Sequence, residues 1–313
     1  MIWLIGSGPM AASYIQVLQE QKKEFLVIGR GEESAKKLEE QFSIKVIRGG
    51  LTAFLKEKPK KCNHAIVSVT VDQLESVTTE LLNYQVKCIL LEKPGILTLK
   101  SGKSLEKLAK KNKARVFVAY NRRYYGSVLK AKEIIRIDGG ITSVNFEFTE
   151  WPHVVTKLQS NKVALKNWLF VNSSHVIDLA FHFAGKPARM KAYVGGKKKI
   201  LWHPAGSIFS GAGVTKTGAL FSYSANWLSP GRWVLEVLTL KHRLIFKPME
   251  DLQVQELASV KVEPVVFDKT LDTSFKPGIY LQVKQFLEGN FRDMCTLSEQ
   301  VENFKFYEKI LKG

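Results

Sequence analysis

The first eleven residues constrain the fold more than any other stretch. Ile2 to Ile5 form a short apolar run that reads as a buried strand. Gly6-Ser7-Gly8-Pro9-Met10-Ala11 follows at once, and Tyr14, Ile15, Val17 and Leu18 then recur at helical spacing. A strand that turns through Gly-x-Gly into a helix is the context in which that motif binds a dinucleotide. Gly6 permits the tight turn, and Gly8 has no Cβ to keep a pyrophosphate from the backbone at the helix N-terminus. Pro9 and Met10 open that helix. Ala11 stands where a third glycine is usual and still lets helix and strand pack closely.

The pattern continues through the first 120 residues. Strands are expected at Phe25–Ile28, 44–47, 64–71, 87–91 and 115–119. Helices are expected at 34–41, from Leu51, at 74–82 and at 105–111. Strands alternating with helices imply a parallel sheet with right-handed crossovers. In such sheets ligands bind outside the carboxyl ends of the strands. Ser68, Val69 and Thr70 end the fourth strand and are expected over the cofactor. The second strand ends on Gly29-Arg30-Gly31, where an acid would suit the ribose hydroxyls of NAD. Arg30 can pair with a 2′-phosphate, and Ser34 can add a hydrogen bond. NADP(H) is therefore expected over NAD(H); the alternative is that Arg30 is a solvated turn residue. The fifth strand stops on Glu92-Lys93-Pro94, because proline cannot donate to a ladder. That stop delivers the Lys93 amine, with Glu92 beside it, to the edge of the cofactor crevice.

From residue 121 the architecture changes. Asn121-Arg122-Arg123-Tyr124-Tyr125 opens a second domain, 121–313, whose strands alternate cleanly: Ile141, Val144, Phe146 and Phe148 against polar neighbours. Further strands are expected at 190–194, 199–202, 219–225, 233–240 and 244–246, with hairpin signals at Gly195-Gly196 and Lys241-His242. The fold class is α/β: an N-terminal Rossmann sheet plus an α+β domain with a large open, mainly antiparallel sheet. Helix 174–184 places His175, Asp178 and His182 on one face; Asp178 is expected to orient or charge-stabilise His175 and, with Asn172, to contact substrate. Asn121, Arg122 and Arg123 either bind a substrate phosphate or carboxylate or pair with acids at the hinge. No further acid or histidine completes a metal site, so no metal is expected.

Composition narrows the classes. The net charge of +18 comes mostly from scattered lysines, with no arginine block interleaved with aromatics, so nucleic acid is not expected as a partner. The apolar runs are too short to cross a membrane, and a strand starting at Ile2 leaves no room for a signal peptide, so a cytoplasmic protein is expected. Three widely spaced cysteines, Cys62, Cys88 and Cys295, match no metal spacing and are read as reduced.

With these pieces placed, the whole chain resembles the Gfo/Idh/MocA oxidoreductase family. The resemblance rests on Gly6-x-Gly8 with Tyr14, on Glu92-Lys93-Pro94, on Asn121-Arg122-Arg123, and on Ser174-His175-Val176-Ile177-Asp178-Leu179 with Gly185 closing that helix. It implies NAD(P)-dependent hydride transfer to or from a sugar, polyol or nucleotide-sugar hydroxyl, and a homodimer or homotetramer formed through the open sheet. It also implies that Lys93 contacts substrate near the nicotinamide and that His175 is the acid/base. The chain departs from the family at Val171, where active sugar dehydrogenases usually carry an aspartate four residues before the histidine. Either Asn172 substitutes, or substrate handling differs, or the chemistry has been lost. The last case would make the protein a catalytically silent cofactor sensor.

Overall fold

A computed structural model describes residues 1–313 and divides the chain into two compact units. The first comprises Met1–Asn121 and Thr273–Glu302, the second Arg122–Asp272 and Asn303–Gly313. In chain order the first stretch contains β1 (Ile2–Ile5), α1 (Pro9–Glu20), β2 (Phe25–Ile28), α2 (Glu32–Phe42), β3 (Val46–Ile47) and α3 (Gly50–Lys56). It continues with β4 (His64–Val67), α4 (Leu74–Asn83), β5 (Cys88–Leu91), α5 (Leu99–Lys111) and β6 (Arg115–Val118). After a 3₁₀ turn at Asn121–Tyr124 come α6 (Gly126–Ile137), β7 (Ser143–Phe148), α7 (Pro152–Leu158) and α8 (Lys162–Lys166). A π-helical turn, Leu169–Ser173, leads into α9 (Ser174–Ala184). Then follow β8 (Pro187–Gly195), β9 (Ile208–Thr215), β10 (Leu220–Asn226), β11 (Trp233–Leu238), β12 (His242–Phe246), β13 (Gln253–Glu256) and β14 (Val262–Pro264). The chain closes with α10 (Thr270–Ser274), α11 (Ile279–Glu288), β15 (Cys295–Thr296) and α12 (Leu297–Lys312). No helix is long and apolar enough to cross a membrane.

The sheet of the first unit has the order β15-β6-β5-β4-β1-β2-β3. Strands β1 to β6 are parallel, and β15 is antiparallel to β6. The order reverses at β1, which lies between β2 and β4; this is the switch point at which doubly wound sheets open a crevice. Ile2–Ile5 and Cys88–Leu91 are buried along their whole length, which is why both read as unbroken apolar runs. Helix α11 packs on α1 and buries Ile279, Val283 and Phe286 completely.

The second unit's sheet has the order β14-β13-β12-β11-β7-β10-β9-β8. Its pairs are antiparallel except β7 with β10. Helix α9 packs on β7 and β11. Most of its residues are buried, so its polar members must find partners inside the unit.

Several expected elements move. The fourth strand stops at Val67, because 71–73 form a 3₁₀ turn. The strand expected at 199–202 is a turn, held by Lys199 N–H on Gly196 O and His203 N–H on Ile200 O. Strand β9 escapes the alternation rule because Gly211 and Gly213 stand where apolar side chains would be. A Cβ there would come within 2.4 Å of the Tyr223 hydroxyl and 2.6 Å of the Phe221 ring, respectively. The aromatics of β10 fill the space that the glycines leave.

Candidate functional site

In the first unit, a cleft of about 570 Å³ opens at the switch point. Gly6, at the end of β1, has φ +122°, and a Cβ on it would lie 2.4 Å from the Ser68 carbonyl oxygen. Only glycine fits there. Ser68 is tied back to β1 through its N–H and its hydroxyl, both donating to Ile5 O at 2.8 and 3.2 Å. A Cβ on Gly8 would meet nothing within 4 Å. No neighbouring protein atom demands glycine there, whereas a ligand approaching the backbone would. Helix α1 begins without a side-chain cap and without an acid in its first turn, so its first N–H groups and positive dipole end remain suited to an anion.

Arg30 is exposed beyond the end of β2 and lines the same cleft, as do Ser34, Val69 and Thr70. The Gln73 amide, oriented with its oxygen toward Arg30, accepts from both guanidinium NH₂ groups at 2.9 and 2.6 Å. Ser34 and Ser7 share a hydroxyl hydrogen bond of 2.7 Å. These residues fit a dinucleotide: a glycine turn under an uncapped helix, with a guanidinium and hydroxyls at the rim of the same cleft.

The turn after β5 is pinned on several sides. Glu92 N–H donates to Val67 O at 2.9 Å, and Gly95 N–H to Glu92 O at 3.0 Å. The Gln300 amide donates to Pro94 O at 2.8 Å, and the Lys93–Pro94 peptide is cis. Glu92 is buried and accepts a 2.7 Å hydrogen bond from the Tyr14 hydroxyl. Burial pushes its pKa up, against the pull of Lys93 and Tyr14. Glu92 therefore anchors the turn to α1, while Lys93 is only half-buried.

In the second unit, His175 begins α9 and is 5% exposed; its ring lies 6.2 Å from the Trp233 ring. Asp178, read from the sequence as orienting His175, gives both its oxygens to Arg123, at 2.8 and 2.6 Å. This bidentate pair is fully buried and ties the 3₁₀ turn to α9. Asn121 donates to Pro277 O at 2.9 Å, within the first unit. Of the three residues Asn121, Arg122 and Arg123, it is Arg122 whose guanidinium lies against aromatic faces, 4.7 Å from Trp233 and 5.8 Å from Tyr125. Burial also depresses the pKa of His182 well below its usual value.

Val171 is buried in the π-turn, but a carboxylate reaches that turn from elsewhere. Glu150, two residues past the end of β7, is 1% exposed. It accepts from Asn172 Nδ2 at 3.0 and 3.1 Å, Ser173 Oγ at 2.8 Å and Trp233 Nε1 at 3.3 Å. Arg232 adds a longer contact of 3.4 Å. Burial raises the Glu150 pKa despite these donors. Asn172, expected to contact substrate, thus spends its amide on Glu150. Sequence reasoning had passed over Gln73, Glu150, Arg232 and Trp233. An acid following a strand that ends in Phe148 was the available signal for Glu150.

Residues 1–120 match the GFO_IDH_MocA family model, "Oxidoreductase family, NAD-binding Rossmann fold". No curated protein matches the sequence. Among solved structures, levoglucosan dehydrogenase in complex with NADH aligns with a TM-score of 0.79 at 14% identity, covering 99% of this chain and 95% of that one. An oxidoreductase from Agrobacterium radiobacter, in complex with NAD+, L-tartaric acid and magnesium, gives 0.78 at 13% identity over 98% and 94%. The UDP-N-acetylglucosamine 3-dehydrogenase GnnA from Acidithiobacillus ferrooxidans gives 0.76 at 12% over 99% and 95%. At these identities the likeness is one of fold.

Proposed function

We propose, from the match of residues 1–120 to the Gfo/Idh/MocA oxidoreductase family model, that the chain is an NADP(H)-dependent oxidoreductase acting on a hydroxyl of a sugar, polyol or nucleotide-sugar derivative. The observation that carries this reading is the cleft at the switch point, with glycine enforced at position 6 and Arg30 held at its rim. The relatives by fold act on, or were solved with, sugar-type or polyhydroxy compounds: levoglucosan dehydrogenase with L-sorbose, the Agrobacterium protein with tartaric acid.

Within this reading, Gly6, Gly8 and the N-terminus of α1, at Pro9 and Met10, receive the pyrophosphate. Arg30 and Ser34 receive the 2′-phosphate. A bound nicotinamide cofactor would supply the hydride donor or acceptor for the carbinol carbon of the substrate. His175 takes the hydroxyl proton as general base, a role open to a neutral imidazole. Lys93 places a positive charge on the developing alkoxide oxygen. Glu150 holds the π-turn that leads into α9, the helix that carries His175.

Two measurements test this. NADPH should bind more tightly than NADH, and Arg30→Ala should weaken NADPH by about tenfold or more while leaving NADH little changed. Equal affinities in the unaltered chain would end the NADP(H) assignment. Lys93→Ala and His175→Ala should each lower turnover of a sugar or keto-sugar by on the order of 100-fold, with cofactor binding retained. Val171 supports a second reading, a cofactor-binding sensor without turnover. NADPH binding with no turnover across a sugar panel would favour it.

A further inference from the structure

Arg123 and Arg122 are adjacent in sequence but differ in what they meet. Arg123 is 2% exposed and closed off by Asp178. Arg122 is set deep enough for desolvation to lower its pKa, yet the residue stays partly open to solvent. Its Nε is buried with no hydrogen-bond partner. Its guanidinium meets ring faces, Trp233 at 4.7 Å and Tyr125 at 5.8 Å. A second guanidinium, that of Arg232, lies 4.8 Å from the same Trp233 ring and 4.7 Å from Trp151. Burial first, and then the positive charge of Arg232, lower the Arg122 pKa.

Two guanidinium groups beside one indole make a positive locus that an anion complements. Two acids act on Arg122, Glu150 and the exposed Glu250. Glu150 already accepts from Asn172, Ser173, Trp233 and, at 3.4 Å, Arg232 itself, and burial disfavours its ionised form. It is therefore a weak counter-charge for Arg122, whose Nε it leaves without a partner. Stacked guanidinium planes keep their in-plane N–H groups directed away from the ring, where a carboxylate or phosphate can take two of them at once. A neutral sugar hydroxyl would accept one such N–H, where a carboxylate or phosphate accepts two.

We propose that Arg122 and Arg232, held against Trp233, form an anion subsite, and that the substrate of this protein carries a carboxylate or phosphate group which binds there. The proposal rests on the oxidoreductase reading for the word substrate, but the subsite itself does not.

The subsite is tested first without any turnover. Arg30→Ala removes the guanidinium at the cofactor cleft. In that background, inorganic phosphate and glucuronate are titrated calorimetrically at low ionic strength. At least one should bind, and Arg122→Gln should weaken that binding by about tenfold or more. Arg122→Lys, which keeps the charge and loses the fork, should weaken it by a smaller factor. It also guards against a Gln variant that fails to fold. Arg243→Gln, at an arginine paired with Glu236, should change nothing. No binding of either probe, or binding unmoved by both Arg122 variants, overturns the subsite. The two probes separate a phosphate from a carboxylate.

Turnover then compares glucose, glucose 6-phosphate and glucuronate with cofactor affinity measured separately. Preference for an acidic sugar that Arg122→Gln abolishes supports the proposal. Turnover of glucose with neither acidic sugar preferred overturns it while the oxidoreductase reading stands. Arg122-dependent anion binding in a chain that binds no nicotinamide cofactor leaves the subsite standing and overturns the oxidoreductase reading.

Discussion

Gly6 shows how one missing Cβ decides a local outcome. Its φ of +122° is strained for any L side chain, and the Ser68 carbonyl stands 2.4 Å from where a Cβ would be. Because that oxygen is backbone, relief requires β1 and β4 to move apart at their carboxyl ends. Gly6→Ala should therefore destabilise the first unit by at least roughly 2 kcal/mol, read as a lowered urea midpoint. Cofactor affinity should fall with it. An unchanged midpoint would mean that the turn relaxes freely. The contrast with Gly8, where a Cβ meets nothing, separates a glycine needed by the fold from one suited to a ligand.

At the scale of elements, the Arg123–Asp178 pair joins the 3₁₀ turn to α9 with both charges out of water. Removing one partner strands the other. Arg123→Met and Asp178→Leu should each cost about 3–5 kcal/mol, and the double variant markedly less than their sum. Denaturant unfolding of the four proteins checks this, and additive losses would show that the pair is not coupled. A second element, the 196–207 connection, carries a pH signature. His203 is fully buried, its Nδ1 donates to Gly206 O at 2.8 Å, and burial holds its pKa below 6.5. The unfolded chain takes up this proton as pH falls through 6.5, while the folded chain does not, so stability is lost below that value. His203→Phe, which can still pack against Trp227, should shrink the drop in Tm between pH 7 and pH 5.5. A drop of the same size would rule His203 out as a cause.

Legibility in the sequence followed physics. Strands β1 and β5 are buried on both faces and announce themselves as Ile2–Ile5 and Cys88–Leu91. The bounds of α9 were legible because Gly185 ends it with φ +85°. Strand β9 was hidden because its packing is supplied by rings on β10. The Glu150 cluster was hidden too, because it joins residues 22, 23 and 83 positions apart, and no periodicity encodes that.

For the molecule as a whole, the first unit is built from two separated stretches of chain. Strand β15 extends its sheet beside β6, and α11 covers α1. Phe286 is fully buried there and packs edge-on against His64, with ring centroids 5.2 Å apart. Phe286→Ala should cost about 3–5 kcal/mol of unfolding free energy. If 273–302 were a dispensable appendage, the loss would be well below 1 kcal/mol, and denaturant titration distinguishes the two.

That interleaving also sets the order of events at the ribosome. Domains usually finish folding in the order in which they are synthesised, at about 5–20 residues per second. Here the nucleotide-binding sheet has its first strand at Ile2 yet lacks its edge strand until Thr296 has been made. The whole intervening segment must emerge while the sheet waits with β6 uncovered. Nascent chains released before that point should stay open to protease at β6, and a chaperone that shields an unfinished sheet edge would find its client there.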